Sequence, residues 1–346
     1  MGPGTAVRWR RRVSRWRRTV LAALICGAVV LPLSGAARPE IPAPAPAVLA
    51  APTAGTLEEV YAANRANAAE ASRMAAAHGD RHRAAADRSM ADPSRRPLAF
   101  DGRGAGLATE VFGDLAHADR VAVLVPGSDT SLDTYGRFRA AALALHRRLA
   151  AQAYEGALPH SPPPHSPPRS SGGTRTAVVA WLGYETPGTV STTVATTGRA
   201  DRAAPKLRAL VGTLRGITGP GTRLALLCHS YGSVVCARAA DGLDVADIAL
   251  VGSPGTGADS VAGLHTSARV WAARGADDWV RHVPHLSADL FGSTVGFGTD
   301  PVTPDFGARV FAAGDGGHSD YFRTGSVSLT NLARIALGET TEVTHD

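Results

Sequence analysis

Apolar residues along much of this chain come in short unbroken runs, separated by longer stretches in which apolar and polar positions alternate at helical spacing. Eight runs read as strands: "PLAF" (Pro97–Phe100), "ATEVFG" (Ala108–Gly113), "RVAVLVP" (Arg120–Pro126), "TAVVAWL" (Thr176–Leu182), "RLALLC" (Arg223–Cys228), "DIALVG" (Asp247–Gly252), "ARVWAAR" (Ala268–Arg274) and "ARVFAAG" (Ala308–Gly314). A strand with one wet face would alternate. Consecutive apolar positions instead indicate strands covered on both faces of a largely parallel sheet. Helical spacing fits Leu132–Ala151, Arg199–Arg215, Tyr231–Asp241 and Ser326–Leu337. Strand alternating with helix is the α/β pattern. The first two runs have no helix between them and are expected to pair antiparallel at one edge.

The rest of the chain divides by composition. Residues 1–37 open with seven arginines and continue into "TVLAALICGAVVLPLSGAA" (Thr19–Ala37), a positive segment, an apolar segment and a small-residue end. This is the layout of a secretory signal peptide, and "RRTVL" (Arg17–Leu21) weakly resembles a twin-arginine signal. Retention of the same segment as a membrane anchor is the competing reading, so the expected location is secreted or bound to the cell envelope. Cys26 makes no lipobox, since Ile25 precedes it. Residues 38–56 are rich in Pro and Ala and read as an extended tether. Residues 57–90, rich in Ala, Glu and Arg, read as a helix or helical hairpin broken near Gly79. A single α/β domain is expected over residues 91–340, interrupted by the Pro-rich insertion Pro159–Gly173, whose His160 and His165 have no frame to fix a metal geometry. Residues 284–306 read as a lid or as a simple connection between strands.

Charge and cysteine content narrow the function. The chain of 346 residues is 44% hydrophobic and 19% charged, with a net charge of +6. That charge belongs to the front: without the seven arginines of residues 1–37 the remainder stands at −1, and a basic nucleic-acid surface is not expected. Only Cys228 and Cys236 lie beyond the export segment, so no distributed disulfide framework is expected and the core must hold the fold.

One stretch carries chemistry. In "LALLCHSYGSVV" (Leu224–Val235) a strand runs into Ser230 and out into a helix, the context of a nucleophile elbow at the carboxyl end of a sheet strand. Gly232 lets that helix pack closely, whereas Cys228 stands where G-x-S-x-G has its first glycine. A serine nucleophile needs a base and a carboxylate that orients it. His318 lies in a Gly-rich loop after the last strand, and Asp277 and Asp278 follow the strand before it, giving the order serine, acid, histidine. Asp278 is preferred as the acid, with Asp277 solvated or capping. His229, beside the serine on a tight turn, is expected to pack or hydrogen-bond beneath the site. The Tyr231 N–H is one donor for a developing oxyanion, and the loop "PGSDTSLDTY" offers Gly127 and Ser128 for the second. Asp129 and Asp133 in that loop read as helix caps. Tyr184 reads equally as a pocket wall or a structural anchor.

With "VAVLVPGSDTSLDTY", "VVAWLGYETPG", "CHSYGS", "LVGSPGTGADS" and "GHSDYF" in place, the sequence from Arg96 to Leu337 resembles the α/β-hydrolase superfamily. Within it, the resemblance is to a family of hydrolases of high-GC Gram-positive bacteria long grouped as a domain of unknown function. It implies an eight-stranded, mostly parallel sheet flanked by helices, a Ser230–His318–Asp278 triad, and oxyanion donors at Ser128 and Tyr231. The expected function is a secreted or envelope-associated serine hydrolase cleaving a small-molecule or lipid carboxylic ester through acyl-Ser230. No metal, cofactor or nucleic-acid partner is expected, and any membrane association is expected through the N-terminal segment. An acyltransferase with the same triad, a peptidase, and a non-catalytic envelope protein on a hydrolase fold are the alternatives.

Overall fold

The computed structural model describes residues 41–157, 173–189, 196–283, 287–290 and 293–345. The segment read above as a signal peptide, the core of the Pro-rich insertion and its two histidines lie outside the described residues. The strands are β1 (Pro97–Asp101), β2 (Leu107–Gly113), β3 (Arg120–Val125), β4 (Thr176–Leu182), β5 (Arg223–His229), β6 (Asp247–Val251), β7 (Arg269–Ala273), β8 (Ser287–Leu290), β9 (Ser293–Gly296) and β10 (Arg309–Val310). The α-helices are α1 (Leu57–Ala77), α2 (Arg81–Met90), α3 (Tyr135–Ala157), α4 (Gly198–Thr218), α5 (Gly232–Ala239) and α6 (Val327–Leu337).

Eight strands form one sheet in the order β1-β2-β4-β3-β5-β6-β7-β10. β1 and β2 pair antiparallel, β2 also runs antiparallel to β4, and every pair from β4 to β10 is parallel. Both faces are covered, as the unbroken apolar runs require. Val121, Val123, Leu224 and Leu226 face α4 and α5, while Ala122, Leu124, Ala225 and Leu227 face α3 and α6. Leu145 of α3 and Leu332 of α6 are fully buried against the sheet, so this layer keeps water from that face.

The segment 41–90 is part of this packing. α1 and α2 lie on the antiparallel edge, where Ala68, Ala71 and Met90 bury against Phe100, Ala108 and Leu132. The tether is packed as well, contrary to expectation: Ala43 joins that cluster and the Ala45 carbonyl accepts from Asn67 Nδ2 at 2.7 Å. The final strand is shorter than its apolar run predicts. After the Phe311 N–H donates to the Ala272 carbonyl, the Ala312 N–H turns to the Thr344 carbonyl, so the C-terminal segment takes the place of the sheet neighbour. Within residues 284–306, β8 and β9 form a separate antiparallel hairpin, and the Phe297 carbonyl after it accepts from the Thr256 and Gly257 N–H groups.

Cys228 and Cys236 form a disulfide across eight positions, joining the end of β5 to α5, with both residues fully buried. The expectation that the core alone holds the fold is therefore corrected. The strand places Cys228 on the face that α5 covers, and the first turn of α5 brings Cys236 back over it.

Candidate active site

The site forms where β3, β5, β7 and the segment after β10 reach the carboxyl edge of the sheet. β5 ends in a sharp turn that holds Ser230 at φ +54°, a left-handed conformation that a non-glycine residue adopts only where surrounding contacts enforce it. Those contacts are present. The Ser230 N–H donates to the Val251 carbonyl at 3.0 Å, and the Ser233 N–H donates to the Ser230 carbonyl at 2.9 Å. Ser233 Oγ donates to the Cys228 carbonyl at 3.2 Å, closing the turn from the helix side. Gly232 is required here, because a Cβ at that position would lie 2.6 Å from the carbonyl oxygens of Val125 and Pro126. The disulfide occupies the space that a glycine two residues before the serine would leave.

His318 Nε2 lies 2.9 Å from Ser230 Oγ, and His318 Nδ1 lies 3.0 and 3.1 Å from Asp278 Oδ1 and Oδ2. An ionised carboxylate only accepts, so Nδ1 carries the ring proton and Nε2 is left to accept from the serine hydroxyl. Asp278 is wholly buried, which alone would raise its pKa. Hydrogen bonds from His318, from Tyr321 at 2.5 Å and from the Val280 N–H at 2.9 Å outweigh burial and hold the carboxyl below its ordinary value. Asp277 is exposed and takes no part in this line.

The imidazole of His318 sits between two rings, His229 at 4.8 Å and Trp279 at 4.7 Å between centroids. His229 Nε2 donates to the His318 carbonyl at 2.7 Å, which places it beneath the site as a brace for the histidine loop. Burial, then the neighbouring His318, push the His229 pKa down to about 4, so it stays neutral beside an imidazole that can take up a proton.

Gly127 and Ser128 run past Ser230 at the end of β3. A Cβ on Gly127 would lie 2.6 Å from Ser230 Cβ, so only glycine lets this backbone approach Ser230 so closely. The Tyr231 side chain is buried, with its hydroxyl donating to the Thr196 carbonyl at 2.7 Å, which leaves its N–H at the start of α5. Among the described residues, neither the Ser128 N–H nor the Tyr231 N–H has a backbone acceptor. Both border the cavity that opens at Ser230.

Two smaller expectations change and one open choice is settled. Asp129, at φ +56°, caps no helix: its carboxylate accepts from the Thr189 N–H and hydroxyl and ties the loop after β3 to the loop after β4. Asp133 instead receives Arg83 Nε at 2.8 Å from α2. Tyr184 is an anchor, buried against Trp181 and donating to the Pro126 carbonyl at 2.6 Å. Tyr321, Ser233 and Trp279 were missed by reading the sequence, and only the place of Tyr321 three residues after His318 hinted at a role.

The cavity at Ser230 has a volume of about 1040 Å³ and a mainly apolar lining that includes Phe138, Ala141, Val283, Phe297 and Phe322. Among the described residues no group of three or more His, Cys, Asp or Glu side chains could hold a metal ion, and no helix is long and apolar enough to cross a membrane.

Comparison with known proteins places this architecture. Uncharacterized proteins from two strains of Mycobacterium tuberculosis are 31% identical over 270 residues, covering 70% of this chain and 38% of each relative. The chain thus spans well under half the length of those relatives. Among solved structures, XC6422 from Xanthomonas campestris, described as an a/b serine hydrolase without lid, is 17% identical with a TM-score of 0.42, covering 72% of this chain and 95% of that one. Esterase PE8 is 16% identical with a TM-score of 0.40, covering 68% and 99%. A family model described as alpha/beta hydrolase matches residues 101–288, and the chain belongs to that family.

Proposed function

We propose that this hydrolase is a serine esterase that cleaves carboxylic esters through an acyl-Ser230 intermediate. The observation that carries the reading is the unbroken line Ser230 Oγ, His318 and Asp278, at 2.9 and 3.0 Å, opening into an apolar cavity. His318 Nε2 takes the hydroxyl proton as Oγ attacks the ester carbonyl, and Asp278 holds the imidazolium that forms. The carbonyl oxygen gains its charge facing the N–H groups of Ser128 and Tyr231. Collapse breaks the bond to the alcohol, which leaves with the proton from Nε2. Water then attacks the acyl carbonyl as His318 takes its proton, and collapse breaks the bond to Ser230 Oγ, which recovers that proton from Nε2 as the acid leaves.

The cavity is as large as typical small-molecule sites become, and its lining offers an acyl chain little but hydrocarbon. Each buried methylene contributes about 0.8 kcal/mol, so kcat/KM is expected to rise roughly fourfold per methylene until the cavity is filled. The test is a series of p-nitrophenyl esters of increasing chain length, with fluorophosphonate labelling of Ser230 and Ser230→Ala as control. Folded protein that neither labels nor turns over any ester of the series defeats the proposal.

Export belongs to the same reading. It is supported by the arginine-led apolar segment of residues 1–37 and by the buried Cys228–Cys236 disulfide, a bond that persists in oxidising compartments. Fractionation of cells expressing the full chain tests it, and activity confined to the cytoplasm argues against it.

A further inference from the structure

We propose that Tyr321 is a positioning residue of the hydrolytic reaction, its phenol fixing the rotation of the Asp278 carboxylate and tempering that carboxylate's hold on the His318 proton. The proposal rests on the Ser230–His318–Asp278 reading and adds a fourth group to it.

The direction of the phenol proton follows from its surroundings. The Gly275 N–H donates to the Tyr321 oxygen at 3.0 Å, which occupies the acceptor side of the hydroxyl. Its single proton is then directed at Asp278 Oδ2, 2.5 Å away. Tyr321 is buried, and burial followed by the Asp278 contact drives its pKa well up, so the phenol stays a donor throughout the working range. The two carboxylate oxygens are therefore differently held. Oδ1 accepts the Val280 N–H and the imidazole, while Oδ2 has the phenol as its firmest partner.

Without the phenol, Oδ2 is a buried acceptor short of a donor, and more negative charge bears on the imidazole. A carboxylate that holds the imidazolium more tightly keeps His318 protonated to higher pH, where it cannot take the serine proton. Tyr321 thus sets both the orientation of the base and the pH at which it becomes available. The ring also packs 5.6 Å from His229, the residue that braces the His318 carbonyl, so one side chain touches both supports of the base.

The experiment uses the full chain carrying Tyr321→Phe, which removes one oxygen and keeps the ring. The readouts are the fluorophosphonate labelling rate of Ser230 and the p-nitrophenyl butyrate kcat and KM, each from pH 5 to 9. The plateau rate is expected to fall roughly tenfold with KM nearly unchanged. The acid limb is expected to move up by roughly half a pH unit. Replacing Tyr321 with 3,5-difluorotyrosine keeps the fold and strengthens the donor, and it should move the acid limb the other way. An acid limb unmoved by either replacement, whatever happens to the rate or the melting temperature, overturns the proposal and leaves Tyr321 a packing residue. Ser230→Ala and Asp278→Asn run alongside separate the two levels. Loss of activity in both, with Tyr321→Phe equal to the parent, sinks this proposal alone; retained activity in both sinks the triad reading and this proposal with it.

Discussion

Gly127→Ala tests the oxyanion loop with a single methyl group. The Cβ it adds would sit 2.6 Å from Ser230 Cβ and 3.1 Å from both Ser230 Oγ and the His229 carbonyl oxygen. Carbon atoms in contact rest about 3.5–4.0 Å apart, so the loop and the elbow must separate by roughly 1 Å. The elbow cannot give way easily: Ser230 is already at φ +54°, and its backbone is tied to Val251 and Ser233. The movement therefore falls on Gly127 and Ser128, and it carries the Ser128 N–H away from the developing oxyanion. Loss of one such donor costs about 10²–10³ in kcat, about 3–4 kcal/mol of transition-state stabilisation, and a displacement near 1 Å is enough to cause it. Gly127 does not have a left-handed φ, so alanine fits its backbone and the added cost to stability is that of overpacking, about 1–3 kcal/mol. The assay is p-nitrophenyl butyrate hydrolysis with a thermal melt of the same sample, and Gly136→Ala is the control. Gly136 stands in the first turn of α3 with nothing near its missing Cβ, so that variant should keep parental kcat and melt no lower. A folded Gly127→Ala enzyme with kcat within threefold of the parent refutes the placement of the oxyanion site.

Three further outcomes are expected. Asp278→Asn should lower kcat by roughly 10⁴-fold by reversing the imidazole's hydrogen bonding, while the exposed Asp277→Asn should stay within twofold; equal effects in an ester assay would contradict the assignment of the acid. The paired change Cys228→Ala with Cys236→Ala releases a loop closed across eight positions, about 2.5 kcal/mol by chain entropy, and should lower the melting temperature by roughly 5 °C; a melt that coincides with the parent's rules this out. Asp87 in α2 is buried, with no hydrogen bond to either carboxylate oxygen, and burial, only partly offset by Arg83, pushes it up to about 7. The folded chain then binds a proton that the unfolded chain releases near pH 4, so this contribution is present at low pH and lost as pH rises from about 4 to 7, by at most about 4 kcal/mol. Asp87→Asn should therefore raise stability at pH 8 and leave it nearly unchanged at pH 4, and parallel melting curves for parent and variant across that range would show the reasoning wrong.

What the sequence made legible was what local pattern determines. The run "RVAVLV" is apolar at consecutive positions because both its faces are covered, and any such strand must lie inside the sheet, as β3 does. Ser230, Asp278 and His318 could be proposed together because each follows a strand, and the carboxyl ends of parallel strands share one edge. What stayed hidden depends on contacts between distant segments. Nothing in "GSDTSLDTY" distinguishes an aspartate that caps a helix from one that meets Arg83 fifty positions earlier. The pair Cys228 and Cys236 gives no spacing signature, since bonding requires that the strand face and the helix turn coincide. The β8–β9 hairpin has too few apolar positions to stand out against the loop around it.

The N-terminal helices show how far such distant contacts reach into the site. Arg83 is almost wholly buried, and its guanidinium donates to the carbonyls of Gly102 and Gly104 as well as to Asp133. A buried cation is tolerable only with partners, and these come from the turn between β1 and β2 and from the loop after β3. That second loop begins with Gly127 and Ser128, and it is held at its other side by Asp129 bonding to Thr189. Leu132, beside Asp133, packs among α1 and α2 and donates its N–H to the Ala105 carbonyl. The loop that passes within van der Waals reach of Ser230 is thus braced from the antiparallel edge, by residues lying ahead of the first strand. Those helices hold the loop after β3 as Tyr321 and His229 hold Asp278 and His318: they fix in place the groups on which the proposed charge and proton transfer would depend.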